Sequence, residues 1–148
     1  MERTEADTAL AAVRASDRWL AERGWPFSRH AMFGLFEGAI VASWAIPQPW
    51  AGFVVVASLG GLFAVVKGDR DRDGFFVNGW SCEAARPATL LAVVAVLAGF
   101  VAMILTGPIF EWRPEGLAIG AAVALVCTGA SLWWQQLWRR ELLEDTHG

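Results

Sequence analysis

A chain of 148 residues leaves room for one domain, and 55% hydrophobic against 18% charged residues is more apolar than a soluble fold of that size needs. Charge gathers at both ends and in one central stretch, with bare apolar runs between, which speaks against a soluble bundle whose helices would each carry a polar face. A net charge of −3, with no basic stripe interleaved with aromatics, excludes a nucleic-acid surface.

In chain order, residues 8–23 read as a short cytoplasmic amphipathic helix. Thr8 caps it, alanines fill it, and Gly24 ends it before Pro26. Its apolar positions Leu10, Val13 and Leu20 suit the bilayer surface or the top of a bundle, although Asp17 interrupts them. This leader is too long and too charged for the start of a cleavable signal, so the first apolar run is expected to direct insertion and stay in the membrane.

Four spans follow, at about 28–46, 50–66, 87–106 and 117–134. Pro47-Gln48-Pro49 stops the first, Lys67 closes the second, and Gly107-Pro108 breaks the third. Pro87 suits the first turn of the third span. Leu90–Leu105 and Leu117–Leu132 carry no charge on any face. Residues 135–148 form a cytoplasmic tail that continues the last span as helix. The expected fold is therefore all-α: one four-span membrane domain over residues 1–148, built as a bundle of two hairpins. Gly24-Trp25 before the first span and Gly79-Trp80 before the third mark those hairpins as similar.

Orientation follows from lysine and arginine near the span ends. Eleven of the twelve lie on one side: Arg3, Arg14, Arg18, Arg23 and Arg29; Lys67, Arg70, Arg72 and Arg86; Arg139 and Arg140. Only Arg113 falls opposite, so the N terminus, central loop and C terminus are expected in the cytoplasm, in a cell membrane. Trp25, Trp80, Trp133, Trp134 and Trp138 then mark the cytoplasmic boundary, and Trp44, Trp50 and Trp112 the outer one.

Small-residue ladders let helix backbones approach within lipid. Gly34, Gly38 and Ala42 form one on the first span, Ala57 and Gly61 on the second, Ala95 and Gly99 on the third, and Gly116, Gly120 and Ala124 on the fourth. Glu37 is the only charged side chain deep within a span, and such residues face neighbouring helices or a wet cavity. With His30 two turns away on the same face, about 10 Å along the axis, it makes a candidate proton or ion relay. The alternative is a structural carboxyl bonded to a neighbour such as Ser58 or Thr128.

Asp69-Arg70-Asp71-Arg72-Asp73-Gly74 resembles the first half of an EF-hand calcium loop, but the twelfth position, where a bidentate glutamate belongs, is Trp80. Asp69, Asp71 and Asp73 are thus a calcium candidate set against a self-paired mixed-charge stretch. Glu83 and Arg86, one turn apart, suit an ion pair, a headgroup contact or a substrate contact. Glu111, Arg113 and Glu115 read as solvated loop charges, and Cys82 and Cys127 as packing thiols. No catalytic motif, cofactor loop or metal cluster is present in the sequence.

The expected function is a non-enzymatic membrane scaffold or accessory subunit, assembling through small-residue seams with further copies or a larger membrane complex. One alternative is a small oligomeric channel or proton-coupled transporter using the His30–Glu37 face. Another is a lipid-modifying enzyme in which His30, Glu37, Glu83 and Arg86 converge at the cytoplasmic boundary. The lipid bilayer is the partner common to all three, and none calls for a cofactor.

Overall fold

A computed structural model of the chain describes residues 8–12, 15, 19, 22, 24–73, 79–80 and 82–145. Its elements are α1 (Phe27–Ala42), a 3-10 turn (Ser43–Ala45), α2 (Trp50–Asp73), α3 (Arg86–Thr106) and α4 (Pro114–Asp145). No strand occurs among the described residues. Of the leader, residues 8–12, 15, 19 and 22 are helical and exposed, while Val13, Asp17 and Leu20 lie outside the described set.

Three helices, α2, α3 and α4, are long and apolar enough to cross a membrane, against the four expected. The first segment falls short because α1 has only 16 residues. Its ladder tightens at Ser43, whose hydroxyl bonds the Ile40 carbonyl at 2.6 Å. Ile46 is then extended, as the residue before Pro47 must tend to be. Only 11% of the apolar stretch of α2, 17% of that of α3 and 28% of that of α4 is buried within the protein. An apolar surface left so open is wetted by lipid tails, since water would expel it.

The helices stand in a row in the contact order α2–α1–α4–α3, folded enough for α3 also to touch α1. The α1–α4 interface is the most extensive, α3 lies on α4 and touches α1 lightly, and α2 packs chiefly on α1 and the 3-10 turn. The α1–α4 seam explains why the glycine ladders sit where they do. A Cβ at Gly38 would fall 2.7 Å from the Ala124 Cβ and against the Gly120 carbonyl; one at Gly34 would collide with Thr128. Gly120 receives Ala42 in return, and Gly116 receives Ala45. Gly61 on α2 seats the Phe36 ring, and Gly99 on α3 seats Val123 and Val41. Around this seam Val41, Ala45, Met103, Val123 and Cys127 form the membrane-level core, with Trp44 and Phe100 packed on it 4.9 Å apart.

A second core lies at the other end. Trp134 and Trp138 stack at 6.0 Å, Trp25 meets Trp138 at 4.8 Å, and Cys82, Ala85 and Ala88 complete the cluster. These three indoles pack on one another within the protein, Trp134 and Trp138 buried and Trp25 partly so. Trp50, Trp80, Trp112 and Trp133 remain exposed.

Arg113 is also corrected. Far from being a solvated loop charge, it is 9% exposed and its guanidinium donates to the Met103 carbonyl at 3.2 Å and to Thr106 Oγ1 at 3.1 Å. A cation on the last carbonyls of α3 satisfies acceptors that the helix leaves open. The Arg113 amide donates to the Ala45 carbonyl and that of Phe110 to the Trp44 carbonyl, tying this loop to the 3-10 turn.

Candidate functional site

The site is assembled at the end of the row where α1 begins. Gly24 turns with φ +54°, and a Cβ there would come 3.0 Å from the Gln135 side chain, so both conformation and space call for glycine. The turn points the Trp25 amide at Gln135 Oε1, 3.2 Å away. A backbone N–H can only donate, which fixes that Gln135 atom as the oxygen. His30 Nε2 lies 2.6 Å from the same oxygen and must therefore donate too. In the neutral ring Nδ1 is then left to accept from the Ser131 hydroxyl at 2.8 Å. His30 is fully buried, with both nitrogens engaged by α4.

Arg29, the preceding residue, turns the other way. Its Nε bonds Asp69 Oδ2 at 2.7 Å, its side chain 12% and the aspartate's 9% exposed, and its guanidinium lies 4.7 Å from the centre of the Trp25 ring. This pair pins the last turns of α2 to α1. It also removes the geometric basis of the calcium set: Asp69, Asp71 and Asp73 belong to the last turns of α2, not to a loop. Residues two apart on a helix point about 200° apart. Asp69 is committed to Arg29 and Asp71 is exposed, while the side chain of Asp73 lies outside the described residues.

Glu37, two turns beyond His30, does not touch it. Its carboxyl lies against the Cys127 thiol of α4, and Oε2 is buried without a hydrogen-bond partner. Neither partner expected for it is in place: Thr128 bonds the Ala124 carbonyl of its own helix at 2.8 Å, and Ser58 is buried on α2. Glu37 lines a cleft of about 480 Å³ between α1, α3 and α4. Arg29, Trp80 and Thr89 line it as well, with Phe33, Val96 and Leu97 among its apolar walls. Ser131 also reaches the wall, so the His30 hydrogen-bond set and the Glu37 carboxyl border the same space from α4 and α1.

Glu83 and Arg86 pair with each other at 3.0 Å, 80% and 48% exposed. Neither lines the cleft that Glu37 borders, and the two are bonded to each other, so the four-residue convergence with His30 and Glu37 is not formed. Nearby, the Cys82 thiol donates to Glu141 Oε2 at 2.7 Å and the Ala84 amide reaches the same oxygen at 3.1 Å. Burial, and then the Glu141 carboxylate, push that thiol up to about 11. Both cysteines are free and buried.

Comparison with protein-family models, with curated proteins and with solved structures finds no match to this chain.

Ser131, Gln135 and Glu141 are the site residues that sequence reasoning passed over. Their signal was a face of α4: Gly116, Gly120, Val123, Cys127, Ala130, Trp134 and Trp138 recur every three or four residues and are all buried. Ser131 and Gln135 flank that stripe.

Proposed function

We propose that the protein is a non-enzymatic scaffold of the cell membrane that assembles with a second copy of itself through α2. Four passes are part of this reading. The 16 residues of α1 and the three of the 3-10 turn rise about 30 Å together, close to the thickness of a hydrocarbon core. Both termini are then cytoplasmic, on the side where eleven of the twelve lysines and arginines gather.

The observation that carries the proposal is the unused ladder on α2. The seams of α1, α3 and α4 are filled from within the chain, whereas Gly60 and Gly68 face open space and Ala57 and Ala64 are exposed beside them. Four small residues on one side of a lipid-facing helix permit close backbone approach. A second copy is favoured by charge: exposed Lys67, Arg70 and Asp71 occupy adjacent turns at the cytoplasmic end of α2. In a two-fold pair of identically oriented chains these turns meet at one depth, and cation and anion can pair reciprocally.

Native mass measurement in mild detergent tests this. The wild type is expected as a dimer, and Gly60→Leu with Gly68→Leu as a monomer with unchanged helical content, because a Cβ at either position meets nothing within 4 Å. A monomeric wild type, or a dimer indifferent to the double substitution, refutes the reading.

One observation favours the transport alternative, the buried unpartnered Oε2 of Glu37 in a cleft within the spans. Proton flux into liposomes that Glu37→Gln abolishes would support it, and flux unchanged by Glu37→Gln would exclude it. The lipid-modifying alternative finds no support, since Glu83 and Arg86 are paired outside the cleft.

A further inference from the structure

We propose that the cleft between α1, α3 and α4 binds a lipophilic amine, a molecule with one protonated nitrogen and an apolar body, whose nitrogen sits on Glu37 Oε2. The inference goes beyond the scaffold reading and does not depend on whether copies pair.

The polar demand of the cleft is specific. Among the described residues on its wall, Ser131 is bonded to His30 at 2.8 Å, and the Thr89 hydroxyl to the Gly79 carbonyl at 2.7 Å. That carbonyl also accepts from Trp134 Nε1 at 3.0 Å. Arg29 is paired with Asp69, which neutralises it. Glu37 Oε2 alone is buried and unpartnered. The wall therefore calls for one donor at one place, and for apolar surface everywhere else, supplied by Phe33, Ala92, Val93, Val96 and Leu97.

Charge selects among donors. A carboxylate held in hydrocarbon is costly unless an opposite charge accompanies it, and the one cation on the wall is already committed to Asp69. An ammonium group pairs with Glu37, whereas an anion would meet it as a like charge. A bare metal ion would need several oxygen ligands, and the wall directs one. Size agrees: about 480 Å³ lies within the roughly 300–1,000 Å³ of small-molecule sites. Val93 and Leu97, 42% and 59% exposed, stand at the lip, so an amine dissolved in the bilayer enters sideways with its apolar body foremost.

The probe is 1-naphthylmethylamine, with the neutral 1-naphthylmethanol as its counterpart of matched shape. Binding is measured by calorimetry on the full chain in nanodiscs of zwitterionic lipid, with protein-free discs subtracted for partitioning. The amine is expected to saturate at one per chain and the alcohol to bind about tenfold more weakly or worse. Glu37→Gln should weaken the amine by a similar factor and leave the alcohol unchanged. Leu97→Trp, at an exposed lip position that folding does not depend on, should weaken both by obstructing the cleft. Amine binding that is unsaturable, matched by the alcohol, or unaffected by either substitution overturns the proposal.

Discussion

Replacing Gly38 by alanine tests the seam on which everything else is hung. The added methyl would lie 2.7 Å from the Ala124 Cβ and 2.9 Å from the Ala124 nitrogen, and closer still to the Gly120 carbonyl. Carbon contacts settle at about 3.5–4.0 Å. The two helices must therefore part by about 1 Å at that level, and backbone on the far side has no rotamer with which to yield. A gap of that size forfeits roughly a quarter to a half of each dispersion contact it opens. Overpacking of this kind costs about 1–3 kcal/mol, and a collision with backbone belongs at the top of that range. About 3 kcal/mol is more than a hundredfold in the folding equilibrium. Gly129→Ala, on α4 and outside the α2 ladder, is the internal control: nothing lies within 4 Å of its Cβ position, so no loss is expected and a gain of up to about 1 kcal/mol from helix propensity. Unfolding in mixed micelles by a graded denaturing detergent, followed by tryptophan emission, gives both numbers, because the Trp25–Trp134–Trp138 cluster disperses when α1 leaves α4. Gly38→Ala within about 0.5 kcal/mol of wild type, or Gly129→Ala equally damaging, would refute close packing at Gly38.

Two further outcomes follow from buried polar contacts near the helix ends. Burial first, and the Glu141 carboxylate second, raise the Cys82 thiol from its ordinary 9.0 to about 11, so the folded chain holds that proton more tightly than the unfolded one. The associated stability is complete below about pH 9 and is lost as pH climbs through about 11. Maleimide coupling at pH 8, located on Cys82 by peptide mass, should be slow in the folded protein, faster in Glu141→Ala, and fastest when unfolded; folded and unfolded rates that coincide would contradict this. Arg113→Gln should cost about 1.5–3 kcal/mol in the detergent titration, the range for hydrogen bonds from a charged donor, with Arg113→Lys recovering only part. A neutral Arg113→Gln would return that residue to the solvated loop.

The helical character of the chain and most helix positions were legible because bare apolar runs and proline stops act locally. α3 runs Arg86–Thr106 where residues 87–106 were expected. What could not be read was where one helix ends within another's reach. α2 continues to Asp73, well past Lys67, because Arg29 meets Asp69 there and converts a suspected loop into the last turns of a helix. Arg113 looked solvated because its partners, the final carbonyls of α3, carry no sequence signature. Glu37 stood out from the sequence since charge in a bare run is visible by itself. Its neighbour Cys127 and the cleft around it arise only from the order in which the helices stand.

The 32 unbroken residues of α4 stretch about 48 Å from end to end. Glu141 near one extremity grips the segment leading into α3, while Gly116 at the other nests against Ala45. Like a mast, this helix makes a lean at one end a displacement at the other: a tilt of about 5° would carry its far tip about 4 Å. A shift of the Trp25–Trp134–Trp138 cluster at one end is thereby linked mechanically to the Arg113 loop at the other.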